Sequence, residues 1–235
     1  MRARLYVAAV LAGLAALVIT ILVVINYGRH DPSPPSLRDN PNPAIPGRII
    51  YLDEDQCIIR IDASGAGPEE ELYCLSRNEY VSGLYYVDPG TILFTRADYA
   101  GLRLFELDIE ARAVRDLGAL PAPTKPVDTG AVSPTGEEVF GEYDGRIVLL
   151  KDGTRTTIAD FDTNDYGGPT PVTWSPDGAW ILLRYWGRSN EMELWIISED
   201  GQARGTLTKH ASGSPASWLI EGTGTYPPLP ESYQR

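Results

Sequence analysis

The residues whose types and spacing could do chemistry are few: two cysteines, two histidines, one oxygen-rich loop and two runs of acids. His210 is the one imidazole beyond the N-terminal 30 residues, and Ala211-Ser212-Gly213-Ser214 after it reads as loop, so it is expected to be a solvated loop residue. A serine–histidine–acid set would have to use this single histidine as its base, which argues against an enzyme of hydrolase type. The segment Asp160-Phe161-Asp162-Thr163-Asn164 places oxygen donors at the first, third and fifth positions of a calcium loop. Its sixth position is Asp165 rather than glycine and its twelfth is Pro171 rather than glutamate, so it is not an EF-hand and reads as a turn-rich connection. Asp53-Glu54-Asp55 and Glu69-Glu70-Glu71 could supply paired carboxylates. Such runs read as solvated turns, and neither contains an evident feature that would raise a carboxylate pKa. No catalytic residue, metal or cofactor is expected.

Cys57 and Cys74 are the only cysteines. An even pair in an exported domain reads first as a disulfide, with two buried thiols as the alternative. Cys57 opens one expected strand and Cys74 ends the next, so antiparallel pairing could set them side by side. The export reading comes from the N-terminus. Leu5 to Ile25 is apolar apart from Thr20 and carries no charge. At about 1.5 Å per residue it spans roughly 30 Å, the thickness of a bilayer core. Arg2 and Arg4 precede it, which keeps the short N-terminus in the cytoplasm and exports the rest. A cleaved signal peptide is the alternative, but the apolar region is about twice the usual length and no small-x-small site follows.

With Arg2 and Arg4 set aside, 18 basic and 32 acidic residues remain, net −14, which disfavours nucleic acid and anionic lipid surfaces as partners. The organisation expected is an anchor over 1–27, held in the bilayer through residues 5–27, then a spacer over 28–46. That spacer holds Pro32, Pro34, Pro35, Pro41, Pro43 and Pro46, which favour a semi-rigid extended chain that could also fold back along the domain. A globular unit over 47–222 and a tail over 223–235 follow.

The globular unit repeats. Trp174-Ser175-Pro176-Asp177-Gly178 closes on a glycine with counterparts at Gly90, Gly136 and Gly222, spaced 46, 42 and 44 residues apart. Four positions before each stands Tyr86, Val132, Trp174 or Trp218. A turn at this period, followed by strand-like sequence, is the signature of propeller blades. Four strands per repeat can be traced, for example Pro171–Trp174, Ala179–Trp186, Glu193–Ser198 and Arg204–Thr208. The first repeat, Arg48–Leu52, Cys57–Asp62 and Glu70–Leu75, lacks an inner strand, while Ala216–Ile220 has no successor. The expectation is therefore an all-β, small β-propeller of about four four-stranded blades, closed by the C-terminal strand and preceded by one N-terminal transmembrane helix. An open arc is the alternative. Trp174, Trp218, Trp180 and Trp195 are expected in the core.

The run Pro171 to Gly178, then Ala179–Leu183, Glu193–Gly201 and Arg204–Thr208, resembles the TolB-like β-propeller repeat, strongly over 171–208, moderately over 126–161 and weakly over 47–120. The resemblance implies an extracytoplasmic binding scaffold and brings no catalytic residues, and members of that family typically have more blades. In a blade, the turns after strands one and three share one face, and here they are tight. The opposite face carries longer loops with Tyr99, Tyr143, Tyr166, Trp186 and Arg188, the expected docking face for a protein partner. The function expected is a membrane-tethered, extracytoplasmic interaction or scaffold subunit, with a sensor for a small or polymeric ligand as the alternative.

Overall fold

In the computed structural model the described residues are 34–76, 79–98, 101–120, 132–142, 144–161, 168–186, 191–212, 215–230 and 233. The chain divides into two units, Met1–Pro32 and Ser33–Arg235, and all described residues belong to the second. The apolar run at 5–25 lies outside them; among the described residues no helix is long and apolar enough to cross a membrane.

Among the described residues sixteen strands build four antiparallel sheets. The first combines β1 (Arg48–Leu52), β2 (Cys57–Asp62) and β3 (Glu70–Cys74) with β15 (Ser217–Ile220) and β16 (Gly224–Tyr226), in the order β16-β15-β1-β2-β3. The second runs β4 (Tyr80–Asp88), β5 (Thr91–Asp98), β6 (Gly101–Asp108) and β7 (Ala113–Leu120). The third holds β8 (Glu138–Gly141), β9 (Arg146–Lys151) and β10 (Thr154–Asp160). The fourth runs β11 (Thr170–Trp174), β12 (Trp180–Trp186), β13 (Met192–Ser198) and β14 (Arg204–Thr208). This arrangement is consistent with a small β-propeller.

The expected closure is present. Ile49 of β1 pairs with Trp218 of β15, so the C-terminal strand supplies the inner strand that the first repeat lacks. The Trp218 indole nitrogen also donates to the Pro46 carbonyl at 2.9 Å, and Gly47 sits so close that a Cβ there would meet the Leu219 carbonyl at 2.2 Å. One detail differs from the sequence reading. Gly224–Tyr226 adds a fifth strand to this sheet, which ends where Pro227 removes the next donor, as an edge strand permits. Among the described residues the third sheet has three strands; its expected inner strand can be followed only at the isolated bridge Val132↔Glu138, and residues 121–131 lie outside the described ones.

Sheets covered on both faces need apolar residues at consecutive positions rather than alternate ones. β1 meets this by sending Ile49 and Tyr51 toward the fourth sheet and Ile50 and Leu52 toward the second. β13 does the same, with Leu194 and Ile196 against the first sheet and Trp195 and Ile197 against the third. Three apolar clusters result, joining the first sheet to the second, the first to the fourth, and the third to the fourth. Trp174 and Trp218 are 1% and 0% exposed, and Trp180 and Trp195 are buried, as expected for blade packing.

The outermost strands β7 and β10 are largely exposed and carry charges, including Arg115, Asp116 and Arg155, which discourage pairing with another chain. β14 is covered instead. Leu37 donates to the Thr206 carbonyl at 2.8 Å and Thr206 donates back to Pro35 at 3.0 Å, so the Pro-rich segment folds back as a short rung on that edge. Leu37 and Ile45 are buried there, and these two apolar residues are what seat a segment that its prolines alone would leave extended.

Candidate functional site

The loop end of the sheets can be followed at two aromatic residues. Tyr80 begins β4 and Trp186 ends β12, and both are exposed, by 59% and 37%. Beside Tyr80, Arg96 pairs with Glu79 at 2.7 Å and lies over the Phe105 ring at 4.3 Å. Of the five residues expected to form a docking face, Trp186 is the one among the described residues, at the end of β12; Tyr99, Tyr143, Tyr166 and Arg188 lie outside them, as do residues 162–167 of the oxygen-rich loop.

The cysteines form a disulfide. Cys57 and Cys74 are direct partners in the β2–β3 register, which is what brings the sulfurs together. Asp53 accepts from the Cys57 amide at 2.8 Å, and Gln56 turns the chain with φ 63°. Burial in this hairpin raises the Asp53 pKa, a correction to the expectation that nothing in the acidic run would do so. The neighbouring Glu54 reaches the His210 Nδ1 at 3.3 Å on the surface, and both side chains are 62% exposed. His210 is an exposed loop residue, as read, and its amide donates to the Thr208 hydroxyl at 3.3 Å.

The recurrent turns at the other end close upon themselves. Ser175 donates to Asp177 and accepts from the Trp180 amide, while Asp177 accepts from Ala179. Ser198 and Asp200 repeat the plan with Ala203 and Gln202. In the third copy Ser133 and Thr135 both donate to Glu137, and these hydroxyls hold its pKa down at about 2. Each carboxylate is used within its own turn, so the motif is structural.

Sequence reasoning missed a cavity of about 370 Å³ at this tight-turn end of the first sheet. Arg48, Arg60 and Asp62 line it from β1 and β2, and Ala66–Glu70 close it. Arg60 holds Glu70 through two nitrogens at 3.0 and 2.5 Å, and Asp62 is spent on the Ser64 amide and hydroxyl. Among the described residues Arg48 has a long contact to Glu221, 3.9 Å, and is the more loosely paired of the two cations of the lining. The Tyr86 hydroxyl is fully buried with no hydrogen-bond partner, and burial pushes its pKa up. The charges that act on it, Arg60, Arg48 and Glu70, all line the cavity. Arg60 stands between Ile59 and Ile61 in β2 and Arg48 opens the apolar run of β1, so neither marks a site in the sequence.

These features define an all-β scaffold of four radially packed sheets without an assembled catalytic set among the described residues. No family model matches the chain, and no curated protein matches it. Its structural neighbours include TolB and other β-propeller proteins. TolB from Acinetobacter baumannii aligns with 13% identity and a TM-score of 0.28, over 76% of this chain and 51% of that one. A putative TolB from Agrobacterium tumefaciens aligns with 17% identity and a TM-score of 0.27, over 75% and 61%. YCF48 bound to D1 peptide aligns with 10% identity and a TM-score of 0.31, over 82% and 96%. The chain thus spans only about half the length of the first of these.

Proposed function

We propose that the chain is a membrane-tethered, extracytoplasmic interaction subunit without enzymatic activity, held by residues 5–27 and docking a protein through the loop end of its sheets. The observation that carries this reading is the pair Tyr80 and Trp186, large aromatics left exposed at the same end of a rigid scaffold. The apolar run at 5–25 and its preceding arginines support the tether, and the disulfide suits an oxidising compartment. The acidic balance, net −12 for the chain, favours a partner surface with basic groups over nucleic acid.

The test is site-specific photocrosslinking in cells, with the reactive group at Trp186 or Tyr80 and a control at Asp88 on the tight-turn end. A discrete adduct from the first two positions and none from the control is expected. Equal labelling from all three, or none from Trp186 and Tyr80, overturns the reading. A cysteine-accessibility map on intact cells tests the orientation separately.

The cavity at Arg48 and Arg60 favours a second reading, a binding protein for a small ligand. Its one loosely paired guanidinium, Arg48, suits a small monoanion. Thermal shifts on small carboxylates that vanish in Arg48→Ala would favour it over protein docking.

A further inference from the structure

The disulfide has a carboxylate beside it. β2 and β3 pair in step at Cys57↔Cys74 and Ile58↔Tyr73, but the next pair is Ile59↔Glu71, so Leu72 is an extra residue and β3 carries a bulge. The Leu72 side chain is buried with Ile58 between the first and second sheets, whereas Cys57 and Ile59 belong to the cluster between the first and fourth. Side chains alternate along a strand, so in a regular β3 Glu71, three residues before Cys74, would stand on the opposite face. The bulge turns it to the face of the cysteines, where a carboxylate oxygen and the two sulfurs all lie within 4.8 Å of one another.

The three side chains differ in access to solvent. Cys57 is 5% exposed, whereas Cys74 and Glu71 are both exposed. The surrounding charge is negative. The Asp53 carboxylate accepts from the Cys57 amide at 2.8 Å; burial raises its pKa, and the charges of Asp55 and Glu71 raise it further. Among the described residues Glu71 forms no ion pair of its own, and the nearby His210 faces Glu54.

We propose that Cys74 is the point at which an incoming thiol opens this disulfide, and that Glu71 makes the site selective for neutral or cationic thiols over anionic ones. Exchange proceeds by attack of a thiolate on one sulfur, and access decides which. The thiolate sulfur bonds the Cys74 Sγ while the bond between the two Sγ atoms breaks; its electron pair leaves on Cys57, which takes up a proton. A second thiolate then attacks the sulfur of the first and releases Cys74. Two external thiols thereby become one disulfide, and the protein's disulfide becomes two thiols. The attacking group is negative, so the Glu71 carboxylate opposes every thiolate, and it opposes most a thiolate that carries a further negative charge. One unit charge acting on another about 5 Å away in water changes a rate by about three- to fivefold.

The test uses the full chain in mild detergent, reduced under native conditions by mercaptoacetate, 2-mercaptoethanol or cysteamine and quenched with N-ethylmaleimide, each rate taken per thiolate. Peptide mass spectrometry should find the first mixed disulfide on Cys74 and the maleimide on Cys57. A mixed disulfide on Cys57, or on both equally, overturns the proposal. The rate should stay first order in thiol; one that levels off means that the hairpin opens before attack and also overturns it. Glu71→Gln keeps the shape and removes the charge, so it should raise the rate with mercaptoacetate about three- to fivefold relative to cysteamine. In the parent chain the same ratio should approach that of the variant as salt is raised, a readout that needs no substitution. A ratio unchanged by both removes the role given to Glu71. None of these readouts involves Trp186 or a cellular partner, so failure here is distinct from failure of protein docking.

Discussion

Breaking the Cys57–Cys74 disulfide should destabilise the domain through the denatured state while leaving the folded state in place. The bond closes a loop with a sequence separation of 17. Chain-entropy reasoning assigns about 3 kcal/mol to a loop of that size. The native hairpin has other ties: the β2–β3 register, the Leu75 amide on the Gln56 carbonyl at 3.1 Å and the Cys57 amide on Asp53. These persist on reduction, so little of the loss should come from the folded side. For a domain of this size 3 kcal/mol corresponds to a fall of roughly 6–12 °C in Tm. Urea unfolding followed by tryptophan fluorescence, with and without reductant, measures it. The midpoint should fall and the m-value rise, because an uncrosslinked denatured chain exposes more surface. The Cys57→Ala/Cys74→Ala variant should lose somewhat more, since Cys57 also packs in the cluster between the first and fourth sheets. An unchanged midpoint on reduction, or loss of the cooperative transition, would refute the reasoning.

Trp218→Ala removes a fully buried indole and its bond to Pro46, and should cost about 3–5 kcal/mol in urea unfolding; a loss below about 1 kcal/mol would mean that ring closure does not depend on it. Gly201 adopts φ 74°, and a Cβ there would meet the Ile158 carbonyl at 1.7 Å, so Gly201→Ala should force the third and fourth sheets apart and lower Tm, whereas Gly136→Ala, with φ 96° and open space, should cost only backbone strain of about 1 kcal/mol. Glu137 has a depressed pKa, about 2, from the Ser133 and Thr135 hydroxyls. Its contribution is therefore complete above the unfolded value near 4.5 and is lost as pH falls toward 2. The Tm gap between the parent and Glu137→Gln should be present at pH 6 and close by about pH 2, though solvent screening keeps it small; a pH-independent gap would contradict this.

How much of this was legible beforehand follows from what each element contributes to its own formation. β1 and β2 could be bounded to the residue because apolar runs stop at turn residues, β14 because Arg204–Thr208 matches the repeat pattern, and β15 was identifiable as the missing inner strand because Ala216–Ile220 had no partner of its own. The disulfide was readable because both cysteines fall at strand ends that antiparallel pairing aligns. The inner strand expected before the Ser133–Gly136 turn can be followed only at Val132, which bridges Glu138, because residues 121–131 lie outside the described ones. The cavity was not legible, because Arg48 and Arg60 look like solvent positions within their strands and converge only when the 66–70 turn closes over them. Nor was the role of the tail, because Pro227, Pro228 and Pro230 rule out a long strand yet say nothing about what Tyr226 and Tyr233 touch.

These misses share a cause that bears on function. A repeat encodes contacts between like neighbours, and three junctions here are made that way, by runs such as Ile49–Leu52 and Leu194–Ile197 that fill both faces of a sheet. The chain's non-repeating ends do what the repeat cannot. Pro34–Leu37 cover the β14 edge, and Gly224–Tyr226 extend the first sheet beyond β15. A junction filled by an apolar cluster opens only at the cost of exposing it, whereas an edge covered by a few residues can open while the rest of the domain stays folded. A binding surface in such a scaffold is therefore to be sought at the breaks in its periodicity, such as the β14 edge covered by Pro34–Leu37 and the β15 edge covered by Gly224–Tyr226.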